Sequence, residues 1–365
     1  MSRVTVAIPV RDGGSLLGRT FAALAEQTVP HELLVCDSGS RDGSPALARR
    51  HGARVIEITP ERFSHGGTRN LLMRESLGAH VAFLTQDSEP ADEHWLERLL
   101  SGFALASDVG LVYGPYVPRP DAPVPVRFEL ERWFASLSPD RAPRVDRLAA
   151  ADSSKSVGLG VEGASDVSSL RAGRARATSP RATPAIELIG PRGFCTDANA
   201  CLSRAAWEQI PFREVAYAED RVLAIDMLRA GYAKAYVPDA PVVHSHAYTP
   251  AQELKRCFDE WRGLREVYGF REPASPVHLA RRLRGELGAA RRQLEREDLS
   301  ARERTAALGA VAARQAVRLA GALLGSRADR LPAATRRRLS LESRASFEPL
   351  ELDVLAPGIG PSKAF

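Results

Sequence analysis

The sequence predicts an α/β chain with a mainly parallel sheet flanked by helices, and three observations carry that expectation. Short apolar runs alternate with stretches of helical period through the first 90 residues. Each run gives way at once to polar residues, as strands do where a ligand site lies beyond their carboxyl ends. At 365 residues with 44% hydrophobic side chains, the chain is long enough to bury one sizeable core and carry an appendage.

Taken in order, VTVAIPV (residues 4–10) reads as a short buried strand, and Leu16, Leu17, Thr20, Phe21 and Leu24 mark one face of a helix. ELLVCD is a second strand, followed by the Gly-rich turn SGSRDG and a helix over Ala46 to His51. ARVIEI is a third strand, Gly66 to Leu77 a helix and AHVAFLTQD a fourth strand. Asp12, Asp37 and Asp87, each just past an apolar run, therefore gather on one rim of the sheet. From about Ser138 to Pro184 the composition turns to Ser, Ala, Arg, Pro and Gly without apolar period, which predicts a mobile loop or insertion. Order resumes in IELIGPRGFCTDANACLSRAAWEQI as a turn, strand and helix. AKAYVPDAPVVHSH reads as one strand, and after Pro250 the chain becomes helical and Arg-rich. No internal repeat is visible.

The net charge of +5 permits an anionic ligand or surface, and it is unevenly placed: Arg271 to Ser340 hold 16 arginines against 7 acidic residues. Aromatic residues are not interleaved with these arginines, which argues against nucleic acid. Cys36, Cys195, Cys201 and Cys257 have neither zinc spacing nor the density of a disulfide framework, so reduced thiols are expected. MSR runs directly into VTVAIPV without the pattern of a secretory signal. No stretch reaches eighteen uncharged apolar residues, so no membrane span is expected.

Five short motifs carry chemistry. In LTQDSE, Asp87 at a strand end with Glu89 two residues on suits a hard divalent cation, although a turn closed by Asp87 explains the same residues. In VCDSGSRDG, Asp37 can accept from a pyrimidine N–H or a ribose hydroxyl, whereas Asp42-Gly43 is a turn pair. In FSHGGTRN, Gly66 and Gly67 let the backbone approach a ligand and Arg69 can pair with phosphate; the alternative is a Gly-rich helix start with a solvated arginine. In PVVHSHAY, His244 and His246 project to the same side of a strand and can serve a metal or a diphosphate. In AEDRVLAIDMLRAGY, Val222, Ile225, Leu228 and Tyr232 recur at helical spacing. Glu219 and Asp220 fall in the first turn, where the helix dipole favours a carboxylate by about 0.3 to 1 kcal/mol, which does not exclude chemistry.

Read together in chain order, IPV, VCDSGSRDG, GGTRN, TQDSE, GFCTDANACLSR, AEDR and PDAPVVHSH resemble the family 2 glycosyltransferases over about residues 4 to 260. FSHGGTRN, FLTQDSEP, LVYGPYVPRPDAP and ELKRCFDEW resemble, more narrowly, their bacterial rhamnosyltransferase branch. The resemblance implies the GT-A (nucleotide-diphospho-sugar transferase) fold for the domain over residues 1–270; beyond it, composition and spacing predict a basic helical extension over 271–345 and a disordered tail over 346–365. It implies that Pro9, Val10 and Asp12 lie along the nucleotide, Asp37 contacts base or ribose, and Arg69 approaches base or diphosphate. Asp87 with His246 or His244 would hold Mg2+ or Mn2+, with Glu89 a further candidate; Asp220 would be the general base, supported by Glu219, Gly66 and Gly67.

The activity so implied is inverting transfer of L-rhamnose from dTDP-L-rhamnose to a glycan or lipid-linked glycan of the cell surface. The alternatives are a UDP- or GDP-hexose donor, or a non-catalytic nucleotide-sugar or glycan-binding scaffold. A dinucleotide oxidoreductase is disfavoured because IPVRDGG lacks G-x-G-x-x-G. Within the extension, Leu308, Val311, Ala312, Gln315, Leu319, Ala322 and Leu323 form a helical face beside Arg304, Arg314 and Arg318. That helix either lies on an anionic bilayer, putting a cytoplasmic enzyme on the inner face of the membrane, or packs on the catalytic domain.

Overall fold

The computed structural model describes residues 4–148 and 193–350. Its centre is an eight-stranded sheet in the order β3-β2-β1-β4-β9-β6-β10-β8. β1 (Val4–Val10), β2 (Glu32–Asp37), β3 (Arg54–Glu57) and β4 (His80–Leu84) run parallel, as do β6 (Val109–Tyr113) and β10 (Ala233–Tyr236). β9 (Asn199–Ser203) is antiparallel to β4 and β6, and edge strand β8 (Arg144–Asp146) is antiparallel to β10. Val4, Val6, Ala7, Ile8 and Val10 of β1 are all buried because helices cover both faces of the sheet, which is why the strand reads as an apolar run.

Helices α1 (Gly14–Ala25), α2 (Ser44–Arg50) and α3 (His65–Glu75) connect the first four strands. Strand order reverses at β1, with β2 on one side and β4 on the other, so a crevice opens beyond their carboxyl ends. A second sheet pairs β11 (Val242–Val243) with β5 (Glu89–Pro90) and with β7 (Tyr116–Val117). The single strand expected over AKAYVPDAPVVHSH is thus two strands in different sheets. Pro238 and Pro241 cannot donate to a ladder, and a turn closed by Ala240 N–H on the Val237 carbonyl redirects the chain between them.

Asn199 locks the two sheets together. Its Oδ1 accepts from Nε1 of fully buried Trp95, at the start of α4 (Trp95–Ser101), while its Nδ2 donates to the carbonyls of Pro115 and Ala240 at 3.0 and 2.8 Å.

Two boundaries differ from the expectation. Residues 138–148 open the expected loop with ordered structure, because β8 satisfies the free edge of β10; residues 149–184 lie outside the described residues. In the expected tail, Glu348 and Leu350 donate backbone N–H groups to Oε1 and the carbonyl of Glu266; residues 351–365 lie outside the described residues.

After α5 (Val124–Leu137), α6 (Arg204–Gln209) and α7 (Glu219–Arg229), the chain ends in α8 (Pro250–Tyr268), α9 (Pro276–Leu294), α10 (Ala301–Gly325) and α11 (Ala333–Leu339). α10 packs along α8 and also against α5 and α9. Gly321 and Gly325 permit this approach, since a Cβ there would lie 2.7 Å from Cys257 Cβ and 2.3 Å from the Phe258 carbonyl oxygen. By length and composition alone α10 could cross a membrane, with a window of mean hydropathy 1.3. Yet Arg314 is bound to Glu129 and Glu253, and Arg318 to the same two carboxylates at 3.0 and 2.8 Å. These two arginines therefore bind the domain instead of facing a lipid surface.

Replacing Asn199 by Leu keeps the branched shape of the side chain, with somewhat greater bulk, and strands the Trp95 N–H and two carbonyls in the core. The expected loss is about 3 kcal/mol of unfolding free energy, read from the urea midpoint; a change below about 1 kcal/mol would show that Asn199 does not hold the sheets together.

Candidate active site

A pocket of about 730 Å3 opens at the carboxyl ends of the central strands. Pro9, Val10 and Arg11 line it from β1, Ser38 from the end of β2, and Thr85, Gln86 and Asp87 from the loop after β4. Asp37 is 2% exposed; its Oδ1 accepts from the N–H groups of Gly39 and Ser40, while Oδ2 is buried without a hydrogen-bond partner. A buried acceptor left over at a strand end suits a ligand donor. Asp12 takes a different part. At φ +51° it is exposed, its carboxylate accepts from Arg41 N–H at 2.7 Å and its own N–H donates to Ser40 Oγ, so it braces the β1 turn against the β2 loop.

The small sheet assembles a carboxylate and two imidazoles. Pairing of Val243 with Glu89 lays the segment after β11 beside the loop before β5. His244 Nδ1 then stands 3.5 Å from Asp87 Oδ1, and His246 Nε2 stands 3.6 Å from Oδ2. One ligand atom from each of the three lies within 4.8 Å of the others, so one cation can be held by all of them. Burial raises the Asp87 pKa, but His244 and then His246 outweigh it and the carboxylate lies below its ordinary range. Burial lowers both histidines, His246 to about 4 with help from His244, so both rings are neutral near pH 7 and keep a lone pair for a metal. Glu89 is not part of this group: its carboxylate pairs with Arg19 at 2.9 Å and faces Arg119 at 3.9 Å, because β5 turns it away from Asp87.

Another wall is acidic. Ala218 precedes α7 in the left-handed region at φ +62°, a conformation costing about 1 to 2 kcal/mol for a non-glycine residue. It offers no side-chain cap, and the strained turn delivers Glu219 and Asp220 to the pocket. Asp220 Oδ1 accepts the Arg221 N–H at 2.7 Å. Burial first, and the Glu219 charge second, raise the Asp220 pKa to about 6. Burial opposes ionisation of Glu219 too, but Arg69 and His65 outweigh it and hold its pKa below the ordinary value.

Arg69 lines the pocket, but the protein itself engages its guanidinium. It is 5% exposed, and its guanidinium is taken by Asp197 at 2.9 Å, Glu219 at 3.0 Å and the His65 carbonyl at 3.1 Å. Gly66 and Gly67 meet the protein as well. A Cβ on Gly66 would lie 2.2 Å from the Arg213 carbonyl oxygen and one on Gly67 2.5 Å from Ser64 Oγ, so both admit protein and not ligand.

Sequence reasoning assigned no role to Asp197, the partner of Arg69; burial drives its pKa well up. Its signal was present as the lone acid directly before strand ANACLS. Also unassigned were Glu129, Trp133 and Glu253, which line the pocket with Arg314 and Arg318 of α10. Residues far apart in sequence have no local pattern that announces such a wall.

The profile of the family described as Glycosyl transferase family 2 matches residues 5–145. The O-antigen chain rhamnosyltransferase RfbN of Salmonella typhimurium is 32% identical over 263 residues, covering 70% of this chain and 71% of its own. The O-antigen chain rhamnosyltransferase WbaN of Salmonella anatum is 29% identical over 266 residues, covering 71% of each. A mannosyltransferase from Pyrobaculum calidifontis, solved with GDP-Man and Mn2+, superposes with a TM-score of 0.51 at 18% identity over 89% of this chain and 87% of that one. With its GT-A architecture, the chain belongs to the family 2 glycosyltransferases, in their bacterial rhamnosyltransferase-like branch.

Proposed function

We propose that this glycosyltransferase moves L-rhamnose from dTDP-L-rhamnose to a hydroxyl of a lipid-linked surface glycan, with inversion and with a divalent cation. The carrying observation is that Asp220 and the Asp87–His244–His246 group line one pocket, so an acidic acceptor-activating group and a donor-holding group serve the same ligand space. The rhamnose donor rests on likeness to RfbN and WbaN. Two imidazole nitrogens and one carboxylate favour Mn2+ over Mg2+, which takes oxygen ligands. Asp87, His244 and His246 would hold it, and when bound it supplies positive charge to the departing diphosphate.

Asp220 takes the proton of the acceptor hydroxyl as its oxygen attacks the anomeric carbon. The bond from that carbon to the diphosphate breaks, and the nucleoside diphosphate leaves with the electron pair. A carboxylate with a pKa of about 6 remains ionised near neutrality and is a better proton acceptor than an ordinary aspartate; proton transfer to a base so placed contributes about 10²- to 10⁴-fold. Pro9, Val10 and Ser38 form the surface for the nucleoside, and Asp37, at the end of β2 with a partnerless buried Oδ2, is the acceptor for its base or ribose. We further assign the enzyme to the cytoplasmic face of the membrane. Arg281, Arg284, Arg291 and Arg292 of α9 are exposed to meet its anionic headgroups.

Asp220→Asn should bind donor normally and lose at least about 10²-fold in kcat; turnover near the wild-type value would remove Asp220 as the base. Because the folded pKa of Asp220 is raised, activity should fall as pH drops through about 6, and a kcat/KM profile flat from pH 5 to 8 would contradict that assignment. Chelation should abolish transfer, with Mn2+ restoring more than Mg2+, and Asp87→Ala should respond to neither ion. A chelator without effect rejects the metal. Transfer assays with dTDP-, UDP- and GDP-sugars test the donor, and preference for a UDP- or GDP-sugar would overturn rhamnose.

A further inference from the structure

Of the six arginines that line the pocket, three are neutralised by the protein, Arg11 is exposed at its rim and Arg221 lies beside Asp220 over the Phe194 ring, 5.2 Å from the centroid. Arg69 is held by Asp197 and Glu219, and Arg314 and Arg318 by Glu129 and Glu253. Arg119, near the histidines, donates to the Asp87 carbonyl and faces Glu89. A diphosphate entering such a site still needs a cation whose donors are available.

Arg256 is in that position. The Thr249 capping box starts α8 three residues after His246, and Glu253, Arg256 and Glu260 then recur on the helix face that lines the pocket. Among the described residues Arg256 has no hydrogen bond and no ion pair; its guanidinium lies over the Tyr217 ring, 5.1 Å from the centroid. The carboxylates that act on it from a distance are turned elsewhere: Glu260 toward Arg318 at 3.8 Å, and Glu342 to Arg344 at 2.6 Å and His65 at 3.6 Å. Its charge also bears on the metal-binding wall, since Arg256 is among the groups that lower both His244 and His246. Tyr248 links the two places, stacked on His246 with centroids 5.0 Å apart and acted on by Arg256.

We propose that Arg256, stacked on Tyr217, is the side-chain cation that binds the donor diphosphate and stabilises it as it leaves, the part that the sequence motif suggests for Arg69. The proposal rests on the nucleotide-sugar reading above. The Tyr217 face orients the guanidinium by cation–π attraction and leaves its N–H fork for phosphate oxygens. As the bond to the anomeric carbon breaks, charge on the diphosphate grows and these hydrogen bonds strengthen, so Arg256 acts on kcat as well as on donor affinity.

The test is calorimetric titration of the full chain with dTDP, UDP and GDP in Mn2+, with the free nucleosides in parallel, for wild type, Arg256→Gln, Arg256→Lys and Arg11→Gln. Arg11 is the comparator because its exposed side chain also reaches the pocket. Arg256→Gln should weaken the bound diphosphate at least about ten-fold and leave nucleoside binding unchanged. Arg256→Lys, which keeps the charge but loses the fork, should fall between; it also stands in if the glutamine variant does not fold. Turnover with the preferred donor should drop further than affinity does. Unchanged diphosphate affinity in both Arg256 variants, or a loss confined to Arg11→Gln, overturns the role of Arg256 while the glycosyltransferase reading stands. A wild-type protein that binds none of the three diphosphates overturns the nucleotide-sugar reading and this inference with it.

Discussion

The ion pairs made by Arg69 organise the acidic side of the pocket. One guanidinium joins α3, the segment before β9 and the first turn of α7, through Asp197 and Glu219. Two carboxylates this close and this buried repel each other and resist ionisation; Arg69 overcomes this for Glu219, while burial still holds the Asp197 pKa up. Removing one member of such a buried group leaves an uncompensated charge, which costs about 3 to 5 kcal/mol in comparable cases. The Glu219 carboxylate kept ionised by Arg69 then helps to hold the neighbouring Asp220 proton affinity up, so a structural pair sets a chemical property one residue away.

The C-terminal helices belong to the same physical unit. Arg314 and Arg318 of α10 meet Glu129 of α5 and Glu253 of α8, and Gly321 and Gly325 let α10 seat against α8 with backbone nearly in contact. Glu253 lies one turn before Arg256, so the packing that neutralises the α10 arginines also fixes the helix face carrying Arg256. A segment that reads in isolation as a basic amphipathic helix thus forms part of the pocket wall.

Glu89 and the glycines of FSHGGTRN illustrate how the same residue types serve either ligand or scaffold. A carboxylate two residues after Asp87 looks like a second metal ligand, but Asp87 sits in the turn closed by the Ser88 N–H on the Thr85 carbonyl, outside β5, and Glu89 pairs with Arg19. Paired glycines at a helix start look like a ligand cradle, but the chain at Arg213 fills the space. The difference lies in what packs there from elsewhere in the chain.

The grouping of Asp87 with His246 or His244 came with the family resemblance, whereas the α/β class, the first four strands and the start of α7 at an acidic pair were legible in the residues themselves. Each follows from local rules: burial on both faces makes a strand continuously apolar, and a carboxylate suits a helix N-terminus. Partner choice was not legible. That Arg69 serves Asp197 and Glu219, that Arg314 and Arg318 serve Glu129 and Glu253, and that Arg256 stacks on Tyr217 without an ion pair are outcomes of elements meeting that are distant in the chain. Charge pairing is decided by distance and burial in the folded state, and sequence spacing encodes neither once the partners lie on different elements.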